Sequence, residues 1–430
     1  MMYFSAWRGL FRFWRADLVA GIAVSVVALP LALGFAITTG APASSGLVTA
    51  IVAGFVAALF GGSNFQVSGP TGAMTVVLVP IVAKHGIQSL FVIGLIAGGL
   101  IILMALLGLG KNIDRVPLAV MEGFTLGIAV IIALQQIPLI VEIDKAAGTH
   151  AILVAYDTLR SAMAQPLNWT SISVVALALI IKGIWPHLKK IMGIKIHIPA
   201  SILAVIVITF VAQLLDLKIS RINEIPKNIF QFHYFSLPNI SLASLLYAAV
   251  AVALLGAIES LLSARVADAL YHRQQIREDG SRSRETVAAH DPKQELIGQG
   301  LGTIASALAG GMPATGAIAR TSVNVNAGAR TRFAAISHAL VLLFIVFVAS
   351  PLIAIVPTAA LAGVLLGTSL RIANPRSVAE ALRSTVQVRI VYFATAISVV
   401  AIDLVWGVLI GILLDRSINL VKSARERRAL

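Results

Sequence analysis

Cysteine is absent from the 430 residues, which excludes disulfides, thiol catalysis and Cys-based metal sites. Charge is scarce. Charged residues make up 12% of the chain against 58% apolar, and the mean hydropathy is +0.92. A soluble core does not need that much apolar residue, whereas a polytopic membrane protein does. There is no phosphate loop of the G-x-x-x-x-G-K-[ST] type, no G-x-S-x-G elbow and no His/Glu/Asp cluster with metal-ligand spacing. No cofactor is therefore expected beyond a coupling ion, nor enzymatic chemistry, nor pumping driven by a nucleotide bound to this chain. The first residues, Met1 to Arg15, are aromatic and basic and lack a small-residue cleavage site before the first apolar run. No cleavable signal peptide is expected.

What the chain does have is hydrophobic runs. Fourteen are legible, at 17–39, 45–61, 70–84, 88–109, 114–138, 168–185, 198–214, 243–265, 293–309, 317–328, 333–349, 352–371, 386–401 and 402–417. The third and tenth are too short to cross a bilayer alone, which takes about 20 residues. They read as half-helices joined to irregular backbone, tolerable only where protein or a cavity surrounds it.

With both termini inside, 26 of the 33 Lys and Arg fall in cytoplasmic segments, six fall outside, and Arg320 is left within the membrane zone. That split supports an even span count and this orientation, in a cell inner or plasma membrane. The net charge of +14 is then topology and anionic-lipid contact, not a nucleic-acid footprint. Residues 271–292 read as the longest cytoplasmic loop and Ala151–Met163 as an external amphipathic helix. After Ser417 a short basic tail, 418–430, remains. Asn168 and Asn239 match the N-x-[ST] pattern at span ends, a common coincidence.

Two segments share one punctuation, Gly69-Pro70-Thr71-Gly72-Ala73 and Gly311-Met312-Pro313-Ala314-Thr315-Gly316-Ala317. Proline and glycine stop a helix, so a new one must start after each. The breaks fall at matching positions in two halves of seven spans, the first ending near Leu217 and the second starting near Ser241. An odd number of spans per half makes the halves an inverted repeat, and paired broken helices point to a transport site at their N-termini. Such termini favour anions.

Glu259 is a carboxylate well inside the eighth span. It reads as a proton or cation coupling site, or as a structural acid paired with a buried base. Ser260 and Ser263 are near it, and Ser263 shares its helix face. Arg320, at the start of the tenth span, reads as an anion receptor, as a counter-ion for Glu259, or as both. Thr71, Gly72, Ala73, Ala319, Thr321 and Ser322 offer amides and hydroxyls at the two half-helix starts, where a hydroxyl is equally well an ordinary N-cap. Pro30 is expected to break the first span, and Phe35 to wall a cavity or to pack. His338 reads as a satisfied core histidine, Asp403 as a cap, Glu122 as interfacial, and Gln135 and Gln136 as cross-helix hydrogen bonders.

Four stretches together resemble the SulP family of sulfate permeases and related anion transporters over about residues 10–417. They are Ala28–Ala36, Gly61–Ala73, Asp291-Pro292-Lys293-Gln294-Glu295-Leu296-Ile297-Gly298-Gln299-Gly300 and Ala319–Asn324. The resemblance implies an all-α polytopic membrane protein of fourteen segments in a 7+7 inverted repeat. Its core domain would comprise 1–110 and 241–350 and its gate domain 111–240 and 351–417. The family's anion site, carried over residue by residue, places Leu31, Phe35, Thr71, Gly72, Ala73, Ala319, Arg320 and Thr321 around the substrate, with Glu259 and Ser263 on the coupling ion. It also implies a homodimer, a small inorganic anion as substrate and an elevator-like stroke. Most members carry a cytoplasmic STAS domain that is not in this sequence, which implies trimming or different regulation. Sodium-coupled bicarbonate members favour Asp where Glu259 stands. The glutamate resembles proton-coupled members that take sulfate or dicarboxylates.

Overall fold

The computed structural model describes residue 7 and residues 10–110, 116–148, 150–193, 199–222, 240–279 and 289–429, of which 275–279 and 424–429 are described by backbone alone. The chain is almost wholly helical. In order come α1 (Trp14–Thr39), α2 (Ala43–Phe60), β1 (Ser68–Gly69), α3 (Gly72–His85), α4 (Ser89–Leu106), α5 (Leu118–Val141), α6 (Ala151–Met163), α7 (Trp169–Ile191) and α8 (Ala200–Leu214). Then follow α9 (Leu242–Asp279), α10 (Pro292–Leu308), β2 (Thr315–Gly316), α11 (Ile318–Asn326), α12 (Phe333–Ala354), α13 (Thr358–Ile372), α14 (Pro375–Arg383), α15 (Val386–Ala401) and α16 (Leu404–Ala429). Eight described helices are long and apolar enough to cross a membrane, and α3, α8 and α15 are shorter apolar helices.

Several expectations need correction. Pro30 does not break the first span, because α1 runs unbroken past it. In a membrane helix the freed carbonyl and the strain can be absorbed by neighbouring groups. The eighth span does not stop at 265. α9 continues to Asp279, since the polar run after it is rich in Ala, Arg, Gln and Glu, which are good helix formers. For the same reason α16 carries the basic tail on as helix to Ala429. α7 passes Pro186 to reach Ile191, α12 extends to Ala354, and α14 was not foreseen. The amphipathic helix Ala151–Met163 is present with those bounds. The Asn239 acceptor lies outside the described residues, and the Asn168 side chain caps α7 by accepting from the amides of Thr170 and Ser171.

Two apolar clusters organise the packing. One gathers α1, α2, α7, α8, α12 and α13; the other gathers α3, α4, α5, α9, α10, α15 and α16. α10 lies between α2 and α4 at very short range. A Cβ on Gly298 would stand 2.3 Å from the amide nitrogen of Gly61, and one on Gly300 would stand 2.6 Å from the carbonyl of Gly98. Small residues of this kind let membrane helices approach backbone to backbone.

The approach makes a stability prediction. Gly298→Ala drives a methyl into backbone that cannot swing aside, at a cost on the order of 1–3 kcal/mol. Its apparent melting temperature in detergent should fall clearly below the parent's. Gly99→Ala, whose Cβ meets nothing within 4 Å, should leave it unchanged.

Candidate functional site

Both breaks lie inside the bundle, and they meet. β1 and β2 pair antiparallel, Ser68 with Gly316 and Gly69 with Thr315, and the amide of Ala317 donates to the carbonyl of Val67 at 2.9 Å. Backbone in such a place must have its polar groups satisfied by the protein. Side chains from four helices do this. Glu295 of α10, 2% exposed, accepts from the amides of Gly62 and Ser63 at 2.9 and 2.8 Å and from Gln66 Nε2 at 2.5 Å. Gln299, one turn further along the same face, accepts from Ser68 Oγ at 2.8 Å and donates to the carbonyl of Ala314 at 2.9 Å. It thereby joins the two breaks.

The second break is held further by Thr49, whose Oγ1 accepts from the amide of Met312 at 2.8 Å, and by Ser260, whose Oγ accepts from the amide of Gly316 at 3.0 Å. Thr49 opens a π-helical turn, Thr49–Ala53, in α2. Such turns recur at functional sites. The first break is held by Thr321, which accepts from the amide of Val67 at 3.0 Å, and by Asn324, which donates to the carbonyl of Phe65 at 2.8 Å.

Around this ribbon the predicted residues take up distinct places. Thr71 is the N-cap of α3, its Oγ1 accepting from Met74 N at 3.3 Å. The same hydroxyl is 2.9 Å from Glu259 Oε2, and the Thr315 hydroxyl is 2.6 Å from that oxygen and 3.1 Å from Thr71 Oγ1. One carboxylate oxygen thus contacts a hydroxyl from each break. Glu259 is partly exposed and Ala319 is exposed, while Thr71, Ala73 and Phe35 are buried. By position, the first-turn amides of α3 and α11, including Gly72, Ala73 and Ala319, have no intrahelical acceptor. Phe35 flanks Gly72 together with Ile132 of α5, which stands where a Cβ on Gly72 would go.

Other predicted residues go elsewhere. No ion pair joins Arg320 to Glu259 among the described residues. Arg320, 1% exposed, donates from Nη2 to the carbonyl of Pro70 at 2.7 Å. Its Nη1 is buried with no acceptor and lies 2.1 Å from where a Cβ on Gly69 would sit, so a side chain there would displace the guanidinium. Ser263 is fully buried, and its hydroxyl meets Thr321 at 3.0 Å. Leu31 is in the apolar cluster shared with α13. His338 Nδ1 meets Ser25 Oγ at 3.1 Å, but its Nε2 is buried without a partner, so the histidine is half satisfied. Asp403 caps α16 through the amide of Trp406. Gln136 reaches Thr38 of α1 at a long 3.4 Å, and the Gln135 side-chain oxygen has no donor.

Thr315, Glu295 and Gln299, like Thr49 and Asn324, are residues at the breaks that the sequence does not single out for the site. Thr315 was visible only as the hydroxyl in the second break. Glu295 and Gln299 stood inside the Asp291–Gly300 stretch. An acid and an amide one helical turn apart, in a run otherwise apolar after Glu295, were the available signal.

Residues 14–395 match the model of the sulfate permease family. The chain is 34% identical over 93% of its length to YvdB of Bacillus subtilis (strain 168), named as a candidate sulfate transporter, and covers 72% of it. It is 30% identical over 94% of its length to the bicarbonate transporter BicA of a Picosynechococcus species, covering 69% of that protein. The solved transmembrane domain of a cyanobacterial BicA superposes with a TM-score of 0.78 at 29% identity, over 94% of this chain and 98% of that one. The overall structure of SLC26A9 gives a TM-score of 0.75 at 14% identity, over 95% of this chain and 65% of that one, and shares the fold. The chain belongs to the sulfate permease family. It is a multi-pass membrane protein of a family of transporters, not of enzymes.

Gln299→Leu strands Ser68 Oγ and the carbonyl of Ala314, each orphan costing about 1–3 kcal/mol. The variant should melt well below the parent and lose most transport. Thr303→Val, which gives up only a 3.4 Å contact to the same carbonyl, should be close to the parent in both measurements.

Proposed function

We propose that the chain is a secondary active transporter of small inorganic anions, coupling sulfate uptake to protons through Glu259. The observation that carries the reading is the three-oxygen cluster of Glu259, Thr71 and Thr315. Its three edges measure 2.6, 2.9 and 3.1 Å, lengths suited to O–H···O bonds. Two hydroxyls supply two protons, so an ionised Glu259 leaves one edge without a hydrogen. A third proton on the carboxyl completes the ring. A cation would need these oxygens to spread apart.

The anion is assigned to the space before the two half-helix starts. There the free amides of α3 and α11, the unpartnered Arg320 Nη1 and the exposed Ala319 offer positive potential and access. Phe35, Gly72, Ala73 and Thr321 complete that assignment, with Leu31 behind Phe35 and Ser263 behind Thr321. Protonated Glu259 relieves the negative field as a dianion docks.

The antiparallel pairing of the two breaks supports an inverted relation between the halves, and the Lys and Arg distribution supports fourteen segments in a 7+7 repeat with both termini cytoplasmic. Division into a core (1–110, 241–350) and a gate (111–240, 351–417) is supported by where hydrogen bonds run. Those at the breaks all lie within the first set. Lys182 to the Val364 carbonyl and to Thr368, at 2.6 and 2.9 Å, lies within the second. The core would slide past the gate as an elevator, in a homodimer within the cell's inner or plasma membrane.

A second reading, sodium–bicarbonate symport at the same site, is favoured by the likeness to BicA. Dicarboxylate transport and passive anion exchange or conduction use the same geometry.

Radiolabelled sulfate uptake into liposomes with an alkaline interior and no sodium tests the proposal. Accumulation that collapses with a protonophore is the expected result, and Glu259→Gln should bind sulfate yet lose the dependence on the pH gradient. Accumulation only of bicarbonate, and only with a sodium gradient, would transfer the assignment to the second reading. Full pH-driven accumulation by Glu259→Gln would refute the role given to that carboxylate.

A further inference from the structure

Where α3 and α5 finish and α9 and α16 begin, a cleft of about 540 Å³ opens between α3 and α9 on one side and α5, α15 and α16 on the other. Its walls are mostly Val, Ile, Leu, Ala and Pro side chains. None of Glu259, Thr71 and Thr315 lines it, so it is separate from the site above.

The lining carries two lysines and two histidines against a single acid. Lys84 and His85 stand at the end of α3, and Lys145 and His150 stand in the segment leading to α6. None of these four has a carboxylate partner among the described residues. The one acid in the lining, Asp403, is already engaged, accepting from the Tyr247 hydroxyl at 2.7 Å and the Trp406 amide at 2.8 Å. The apolar surroundings hold the Lys145 ammonium below the usual lysine pKa, as expected of a cation desolvated without a counter-charge.

Walls and rim select the ligand together. A small inorganic anion would use the rim alone, and a neutral chain the walls alone. The volume lies within the ~300–1,000 Å³ of ordinary small-molecule sites, which suits one acyl chain better than a two-chain lipid. We propose that this cleft binds a single-chain amphiphilic carboxylate, its chain lying between α3 and α5 and its head at the rim formed by Lys84 and Lys145. An occupant there bridges α3 and α9 to α5 and α15, and so restrains any sliding of one pair along the other.

The test uses the full chain in nanodiscs with a diazirine-bearing dodecanoate, the labelled peptides being mapped by mass spectrometry. Label is expected on residues 76–85, 131–138 or 240–251. Dodecanoate should compete it away, and dodecanol should not. The double variant Lys84→Ala, Lys145→Ala should lose about tenfold in labelling, as expected for two partly exposed ion pairs. The double Lys→Arg variant should restore it, which separates lost charge from a lost fold. Equal competition by dodecanol, label scattered over other helices, undiminished labelling of the Ala variant, or displacement by phosphatidylglycerol but not by dodecanoate would overturn the proposal.

Discussion

Irregular backbone inside a membrane protein must find every hydrogen-bond partner within the protein, and this structure is organised around that requirement. Two stretches of chain give up helical geometry deep in the bundle. Their exposed amides and carbonyls are met first by each other, through β1 and β2, and then by Thr49, Ser260, Glu295, Gln299, Thr321 and Asn324. These residues lie on α2, α9, α10 and α11. The close packing of α10 against α2 and α4 through Gly298 and Gly300 serves the same end, since it brings Glu295 and Gln299 within reach of the breaks.

The same requirement explains why Arg320 and Glu259 are not a salt bridge. Arg320 is turned toward the first break, where the carbonyl of Pro70 needs a donor. Glu259 is turned toward the hydroxyls of Thr71 and Thr315. A buried pair that neutralised itself would leave little field for a ligand, and breaking it would cost several kcal/mol. Keeping the charges apart leaves a guanidinium nitrogen without a partner and a carboxylate with one oxygen engaged. In the reading proposed above, these are the groups that meet the anion and the proton.

Much of this was legible in the sequence, and the illegible part has a physical pattern. The two breaks, the short third and tenth segments and the isolated Glu259 and Arg320 are written as local composition, and local composition is what a sequence exposes. The amphipathic Ala151–Met163 helix was readable for the same reason, as a polar and an apolar face at helical period. Helix ends were not, because Arg, Gln and Glu beyond 265 and 417 remain good helix formers once hydropathy has fallen. Pro30 misled because its cost is absorbed by neighbours that only the fold supplies. Thr315 and Gln299 were hidden because their roles depend on two segments some 240 residues apart meeting in space. No spacing rule encodes that contact.

The distribution of contacts also bears on motion. The hydrogen bonds at the breaks tie α2, α9, α10 and α11 together, and Asp17 and Ser25 of α1 extend the network to the amides of Arg330 and Thr331 and to His338. Separating those elements would break many buried bonds at once, each worth about 1 kcal/mol net and more if left unmade. Toward α5 and α13 the contacts change character. Gly72 faces Ile132, and Gly34 faces Leu365. The polar links found in that direction among the described residues are the long Thr38–Gln136 contact and Tyr247–Asp403. Apolar surfaces can slide without leaving polar groups stranded. This distribution favours the elevator reading proposed above, in which the plane of movement runs along α1 and α3 on one side and α5 and α13 on the other. A rigid unit carrying both half-helices and Glu259 together meets that condition, whereas rocking of one break against the other does not.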